Sequence, residues 1–275
     1  MSAEARISSA NPEVSLNAWL AGIEACWKNI PEFKVDTERV KHLAIICDGN
    51  RRAAKERSLD SYFGHRAGVE TIKGIAKASR QWNVETLSFW VWSTENWERE
   101  QGQVEFVMKL ATEFLSQRSF LDELKQNQVR FRQIGRKDRL PVMVGRTINV
   151  LEKETKSFDK YKLNLVMDYG SLDEVARAVG KMFEAFKQGE FNPEIIKRNP
   201  QAILGFLDTA TQALPDLVIR TGVRDGEIPH TSGFMPLQTA YAGWEFLPDL
   251  FPNLTPQSLL QTIQNFINYE RRLGK

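Results

Sequence analysis

Residues 87–92, Leu-Ser-Phe-Trp-Val-Trp, constrain the fold more than any other stretch of the chain. The run is apolar on both faces, as in a strand at the middle of a parallel sheet with helices covering both sides. Residues 43–47 read as a second such strand. Residues 163–167 and 216–219 supply two more, while Arg130 and Arg132 place the strand 129–134 nearer an edge. Helical spacing fills the intervals. Leu16, Trp19, Leu20, Ile23 and Trp27 form one apolar face, and Val69, Ile72, Ile75 and Ala76 another. Val107, Leu110, Ala111, Phe114 and Leu115 form a third. Further helices are predicted at about 141–155, at 173–186, and after Thr255, an N-cap followed by Pro256 at the first helical position. Strands alternating with helices predict an α/β fold, a mostly parallel central sheet flanked by helices. No linker or internal repeat divides it. A single domain over residues 15–275 follows a loose polar segment, 1–14.

Composition narrows the function. A core-forming 42% hydrophobic content, 26% charged residues and a net charge of +2 argue against a nucleic-acid partner. No apolar run reaches the roughly 20 residues of a membrane span. The first dozen residues lack the basic start and apolar core of a secretory signal. Cys26 and Cys47 make neither a disulfide framework nor a zinc set. The expectation is a cytoplasmic protein, at most peripheral to a membrane. No Gly-x-Gly-x-x-Gly or P-loop pattern follows a strand, which argues against a nucleotide-binding protein.

Chemistry concentrates after the first strand, in Cys47-Asp48-Gly49-Asn50-Arg51-Arg52. In open α/β sheets, ligands bind where loops leave the carboxyl ends of strands. Gly49 allows close backbone approach, and Arg51 and Arg52 suit phosphate oxygens. Asp48 repels phosphate unless a cation lies between them. Mg²⁺, commonly held by one or two carboxylates plus substrate phosphates, resolves the conflict. Taken alone, the segment also reads as a tight turn with solvated arginines.

Six ordered motifs add to that reading: residues 42–50, Phe63-Gly64-His65-Arg66-Ala67-Gly68, residues 93–99 (Ser-Thr-Glu-Asn-Trp-Glu-Arg), residues 163–170, residues 216–221 and Ala240-Tyr241-Ala242. Together they resemble the cis-prenyltransferases, the family of the undecaprenyl diphosphate synthases, from about His42 to the C-terminus. The resemblance implies transfer of an allylic isoprenoid diphosphate onto isopentenyl diphosphate, with Mg²⁺ at Asp48 and a homodimer. It implies an allylic diphosphate cradle of Gly49, Asn50, Arg51, Arg52 and His65, with Asp48, His65 and Asn96 as catalytic residues. Ser93, Asn96, Trp97 and Arg99 match a loop that orients the substrates. Arg220, Arg224, His230, Ser232, Arg272 and Gly274 are the candidates for the second diphosphate site. Val91, Val107, Leu110 and Phe114 correspond to walls of a hydrophobic tunnel beside the sheet. Trp90 and Trp92 flank Val91, a bulk that predicts a narrowed tunnel and short or medium products.

The departures from the family pattern gather in the second site. The loop 222–234 is longer by a few residues, and His230 stands where the family has an arginine. The glutamate expected after Ala-Tyr-Ala is Gly243, which leaves Glu245, Glu227 or Asp225 as candidate second metal carboxylates. If the segment is helical, Glu245 points elsewhere. An arginine expected before Phe-Gly-His is Ser61, for which Arg51 is a candidate replacement. These changes leave open irregular coupling of two allylic diphosphates, or transfer to an unusual acceptor. A non-catalytic lipid-diphosphate-binding subunit is disfavoured by Asp48, His65 and Asn96.

Overall fold

The apolar runs become the inner strands of one six-stranded, wholly parallel sheet. The computed structural model describes residues 12–269. Helix α1 (Pro12–Cys26) opens the described chain, so residues 12–14 are helical where a loose segment was expected. Strand β1 (His42–Ile46) leads to α2 (Asn50–Lys55) and α3 (Phe63–Gln81), and then to β2 (Thr86–Ser93). A 3-10 turn, Thr94–Glu98, precedes α4 (Gln101–Leu115) and α5 (Arg118–Gln126). Strand β3 (Val129–Ile134), α6 (Val142–Thr155), β4 (Tyr161–Tyr169) and α7 (Ser171–Lys187) follow. After α8 (Glu194–Arg198) come β5 (Leu217–Arg220), β6 (Gly243–Phe246) and α9 (Pro256–Asn268). The strand order is β3-β4-β2-β1-β5-β6. All five pairings are parallel, which places the two most apolar strands, β1 and β2, at the centre.

Period-two alternation sends side chains to opposite faces of the sheet. Leu43, Ile45, Phe89, Leu217 and Ile219 join the large core with α1, α3, α4 and α9. Ala44, Ile46, Trp90, Val166 and Val218 form a smaller core on the other face, with Phe234 and Met235. The register of β2 against β4 shifts between Trp90 and Trp92 and again before Ser93. This bulge puts Trp92 in the large core, away from Trp90.

Strand β3 is an edge, as its arginines predict. Its outward amides are covered by α6: the Phe131 N–H donates to Thr155 Oγ1 at 3.0 Å and the Gln133 N–H to Glu152 Oε1 at 2.9 Å. Side chains so placed block pairing with another strand. Helix α9 begins as expected, with Thr255 and Ser258 capping each other's backbone amides. Burying Leu259, Ile263 and Phe266 of α9 contributes about 1.5–3 kcal/mol each. The segment after Ala242 was read conditionally as helical. It is instead the second edge strand, β6, where Trp244 and Phe246 alternate with Gly243 and Glu245 over only four residues, too few for the pattern to mark it.

At the amino ends of the strands, buried His42 ties β1 to its neighbours. Its Nδ1 lies 2.8 Å from the Ala213 carbonyl, which can only accept, so Nδ1 carries the proton and Nε2 accepts from the Ser88 hydroxyl at 2.7 Å. Ser88 Oγ in turn accepts from Asn164 Nδ2 of β4. Burial lowers the His42 pKa to about 4. The unfolded chain therefore binds this proton more readily than the folded one, and its contribution is full above about pH 6.5 and lost as pH falls through 4. Stability against urea is expected to fall by about 3 kcal/mol on this account across that window. An NMR titration showing His42 charged at pH 6 would contradict the assignment.

Candidate active site

The carboxyl ends of β1 and β5 converge on Asp48. The Asp48 N–H bonds Thr221 Oγ1 at 3.1 Å, and the Thr221 hydroxyl lies 2.8 Å from the Asp48 carbonyl. That backbone contact presents the carboxylate at the rim, with 45% of the side chain exposed. Asp48 Oδ1 accepts from the Gly49 N–H at 2.6 Å, and Oδ2 from Arg220 Nη2 at 3.2 Å. Gly49 has φ of 101°, and a Cβ there would lie 2.9 Å from Leu250, so glycine is required on both counts. Arg52 Nη2 donates to the Gly222 carbonyl at 2.5 Å, which stations its guanidinium 3.8 Å from Asp48.

The Phe-Gly-His-Arg-Ala-Gly motif starts α3 directly against this loop. A Cβ on Gly64 would come within 1.8 Å of the Asn50 carbonyl, and one on Gly68 within 2.6 Å of Asn50 Oδ1. The Asn50 amide donates to the Cys47 carbonyl at 2.8 Å, while its buried Oδ1 has no partner among the described residues. His65, one residue into the helix from Gly64, is half-buried. Burial, then the charges of Arg99 and Arg51, lower its pKa to about 4, so it is neutral at physiological pH. Burial and Arg51 likewise lower Arg99, whereas Asp48 opposes them. Arg51, Arg99, His65 and Asp48 thus share one electrostatic field.

The loop 93–99 is built by its own polar residues. Ser93 and Asn96 cap one another, with the Ser93 N–H bonding Asn96 Oδ1 at 3.2 Å. Arg99 stacks over Trp92 at 5.4 Å. Trp97 Nε1 donates to Asp168 Oδ1 at 2.8 Å, and Arg139 clamps the same carboxylate with Nε at 2.9 Å and Nη2. Asp168 and Arg139 were not among the sequence candidates. Asp168 lies in the 163–170 motif beside Tyr169, and its full burial was the missing signal.

On the other side of Asp48, Arg220 is a buried hub. Its Nη1 donates to His230 Nδ1 at 3.0 Å, the His230 carbonyl at 2.5 Å and Ser232 Oγ at 2.8 Å. His230 and Ser232 of the lengthened loop therefore meet Arg220, which bridges them to Asp48. Arg224 is exposed, and its N–H bonds the Glu227 carboxylate at 3.0 Å. That hydrogen bond, then the charges of Arg220, Arg52 and Arg224, hold Glu227 below the usual carboxylate range. Arg272 and Gly274 lie outside the described residues.

Among the described residues, no group of three or more His, Cys, Asp or Glu converges to hold a metal. Glu245 sits on β6, opposite Ile219. Gly243 cannot be exchanged for the expected glutamate without a clash, because a Cβ there would lie 2.3 Å from the Phe266 ring.

An apolar cavity of about 100 Å³ runs from Cys47, Asn50 and His65 between α3, α4 and the sheet. Val91, Val107, Leu110 and Phe114 line it as expected, joined by Phe89 and Phe131. Trp90 and Trp92 do not line it. The bulk predicted to narrow it is turned away, Trp90 by strand alternation into the opposite core, Trp92 by the bulge onto Trp97. Arg80, at the end of α3 remote from His65, and Glu123 also line it and form an ion pair at 2.5 Å.

Sequence comparison agrees with this architecture. The family described as "Putative undecaprenyl diphosphate synthase" matches residues 46–274. An isoprenyl transferase of Bacillus thuringiensis is 37% identical over 262 residues, covering 90% of this chain and 98% of that protein. The isoprenyl transferase of Bacillus subtilis is 36% identical over 234 residues, covering 85% and 87%. Among solved structures, the lavandulyl diphosphate synthase of Lavandula x intermedia, in complex with dimethylallyl diphosphate, superposes with a TM-score of 0.78 at 28% identity. It covers 87% of this chain and 100% of that one. A protein of Campylobacter jejuni described as a probable undecaprenyl diphosphate synthase gives 0.67 at 32% identity, covering 86% and 99%. A parallel sheet, an arginine-ringed carboxylate and an adjoining apolar cavity thus coincide with a family match over most of the chain, and this protein is a prenyltransferase of the undecaprenyl diphosphate synthase family.

Proposed function

We propose that the chain condenses an allylic isoprenoid diphosphate with isopentenyl diphosphate to give a Z-prenyl diphosphate of short or medium length. The supporting observation is the junction of two chemistries. Arg220 and Arg52 lie 3.2 and 3.8 Å from the Asp48 carboxylate, and Arg99 and Arg51 share its field, beside the end of an apolar cavity lined by Cys47, Asn50 and His65. Diphosphates fit the mouth and an isoprenoid tail fits the cavity. In the reaction the allylic C–O bond breaks and its electron pair leaves with the diphosphate. The acceptor alkene attacks the allylic carbon, and the new cation loses a proton to form the product double bond. Preorganised arginines stabilise the charge that develops on the leaving group. Gly49, Asn50, Arg51, Arg52 and His65 cradle the allylic diphosphate, while Arg220 with Ser232, His230 and Arg224 holds the acceptor. His65, neutral and partly buried, can donate a hydrogen bond without adding charge.

The half-exposed Asp48 carboxylate suits Mg²⁺ bound by one carboxylate together with substrate phosphates and water. Glu227, in the field of Arg220 and Arg52, is a better candidate for a second carboxylate than Glu245. Bound there, Mg²⁺ supplies charge neutralisation for the departing diphosphate.

Chain length is set at the Arg80–Glu123 end of the cavity. Arg80 stands about 22 Å along α3 from His65 by helical rise. A tail that reaches the Arg80–Glu123 pair must strip water from it, which is costly. Exchanging both for Leu is expected to shift the product distribution to longer chains without loss of turnover, as read by chromatography of dephosphorylated products. An unchanged distribution would remove the pair from length control.

A second reading, irregular coupling of two allylic diphosphates, is favoured by the rebuilt acceptor loop and by the likeness to lavandulyl diphosphate synthase. Purified protein, Mg²⁺ and labelled dimethylallyl, geranyl or farnesyl diphosphate, with and without isopentenyl diphosphate, separate the two. Products that require isopentenyl diphosphate support the first reading. Products from the allylic diphosphate alone replace it with the second.

A homodimer is proposed from the apolar face of α7, where Leu172, Val179, Phe183 and Phe186 are each more than half exposed. A monomer in analytical ultracentrifugation at micromolar concentration would reject it. Among the described residues no helix is long and apolar enough to cross a membrane.

A further inference from the structure

The outer edge of β3 carries a second cavity, a groove of about 450 Å³, that takes no part in the chemistry above. Arg130 and Arg132 project into it from the strand, one on either side of Phe131. Lys137, Lys156 and Lys181 complete a basic wall, and Glu152 and Asp208 are its acidic members.

Those two carboxylates are already committed. Glu152 accepts from the Gln133 N–H at 2.9 Å and pairs with Lys137. Asp208 receives Arg177 Nη1 and Nη2 at 2.6 and 2.7 Å, and Lys181 at 3.2 Å. Arg132, although half-buried, donates only to the Ala210 and Asp208 carbonyls, at 3.3 and 3.2 Å. Burial, then the charge of Arg130, hold it below the usual arginine range. No carboxylate among the described residues lies within ion-pair distance of Arg130, Arg132 or Lys156. Three cations thus face one groove outside any ion pair, one of them partly desolvated, offset only in part by the committed Glu152 and Asp208 and by Asp159 near Arg130, and such an arrangement is costly until an anion enters.

We propose that this groove binds a compact polyanion of the phosphate class, a diphosphate or phosphate monoester, apart from the catalytic mouth. Guanidinium forks match phosphate oxygens two at a time, and several charges packed within one small group answer three uncommitted cations. A single carboxylate would leave two of them unanswered. An acidic peptide added as a strand is excluded at Phe131 and Gln133, whose outward amides are occupied by Thr155 and Glu152. The same anion chemistry is offered by a free diphosphate and by a lipid headgroup.

The test titrates the full-length protein calorimetrically with inorganic diphosphate, without magnesium, in wild type, in Arg130→Gln/Lys156→Gln and in Arg220→Gln. The side chains of Arg130 and Lys156 make no hydrogen bond among the described residues, so their exchange is expected to leave the fold intact, and circular dichroism verifies it. Two classes of site are expected in the wild type. The double variant weakens one at least tenfold and retains prenyl-transfer activity, whereas Arg220→Gln weakens the other. A parallel arm sediments the proteins with phosphatidic acid vesicles, whose headgroup is a phosphate monoester, or with phosphatidylcholine vesicles. Loss of phosphatidic acid binding by the double variant, with its diphosphate isotherm unchanged, identifies the headgroup as the source of the anion. Identical diphosphate and vesicle binding by wild type and double variant overturns the proposal. Prenyl transfer is scored separately, so its absence would reject the catalytic reading and leave the groove standing.

Discussion

Asp48→Ala is expected to lower kcat by about a thousandfold, the scale seen when one preorganised charge-stabilising group is removed from an active site. The carboxylate touches Gly49, Arg220 and Arg52 but no part of the buried core, so the variant should fold. Asp48→Asn separates charge from geometry. It retains an acceptor for the Gly49 amide and loses the negative charge proposed to hold Mg²⁺, so it should be nearly as inactive as Asp48→Ala. Raising Mg²⁺ should restore part of the rate of Asn more readily than that of Ala. Steady-state rates across a magnesium series measure this, and near-wild-type turnover by Asp48→Asn would show that the charge is dispensable.

Gly64→Ala should be the most damaging conservative change in the chain. The added methyl would lie 1.8 Å from the carbonyl oxygen of Asn50, which belongs to the backbone and cannot rotate away. Either α3 moves off the loop or Asn50 and its neighbours shift, and both displace Asp48 and the arginines. Overpacking of this kind costs about 3 kcal/mol, at the upper end for small-to-large core changes. Urea unfolding should show that loss, and kcat should fall in the fraction that remains folded, because a displacement of about 1 Å in an active site can cost a hundredfold. Gly145→Ala is the control: nothing lies within 4 Å of the added methyl, and α6 gains a better helix former. Wild-type stability and rate in Gly64→Ala would mean that α3 and the loop do not pack against each other at Gly64.

Much of this was written locally. Residues 87–92 are apolar on both faces, and that pattern alone placed a strand in mid-sheet, because only a strand covered on both sides can bury every residue. Arg130 and Arg132 marked β3 as an edge for the converse reason. Thr255 and Pro256 announced α9 through capping groups that act within one turn. Asp48, Gly49, Arg51 and Arg52 were legible as an anion site because their chemistry lies within a few residues of a strand end.

What the sequence left open depends on contacts between distant segments. Arg220 meets Asp48 across 172 residues, and whether His230 and Ser232 join them depends on how an irregular loop closes. Asp168 gave no outward sign of the ring it forms with Trp97 and Arg139, because burial is a property of the assembled chain. Trp90 and Trp92 were expected beside the cavity, yet alternation turned one to the opposite face and a bulge moved the other onto Trp97. Period-two alternation is read from neighbours, but a register shift is fixed by the strand alongside. Gly243 is the same lesson at one atom. The sequence determined that the expected glutamate is missing, and only the packing of α9 decided why: the Phe266 ring fills the space where its Cβ would stand.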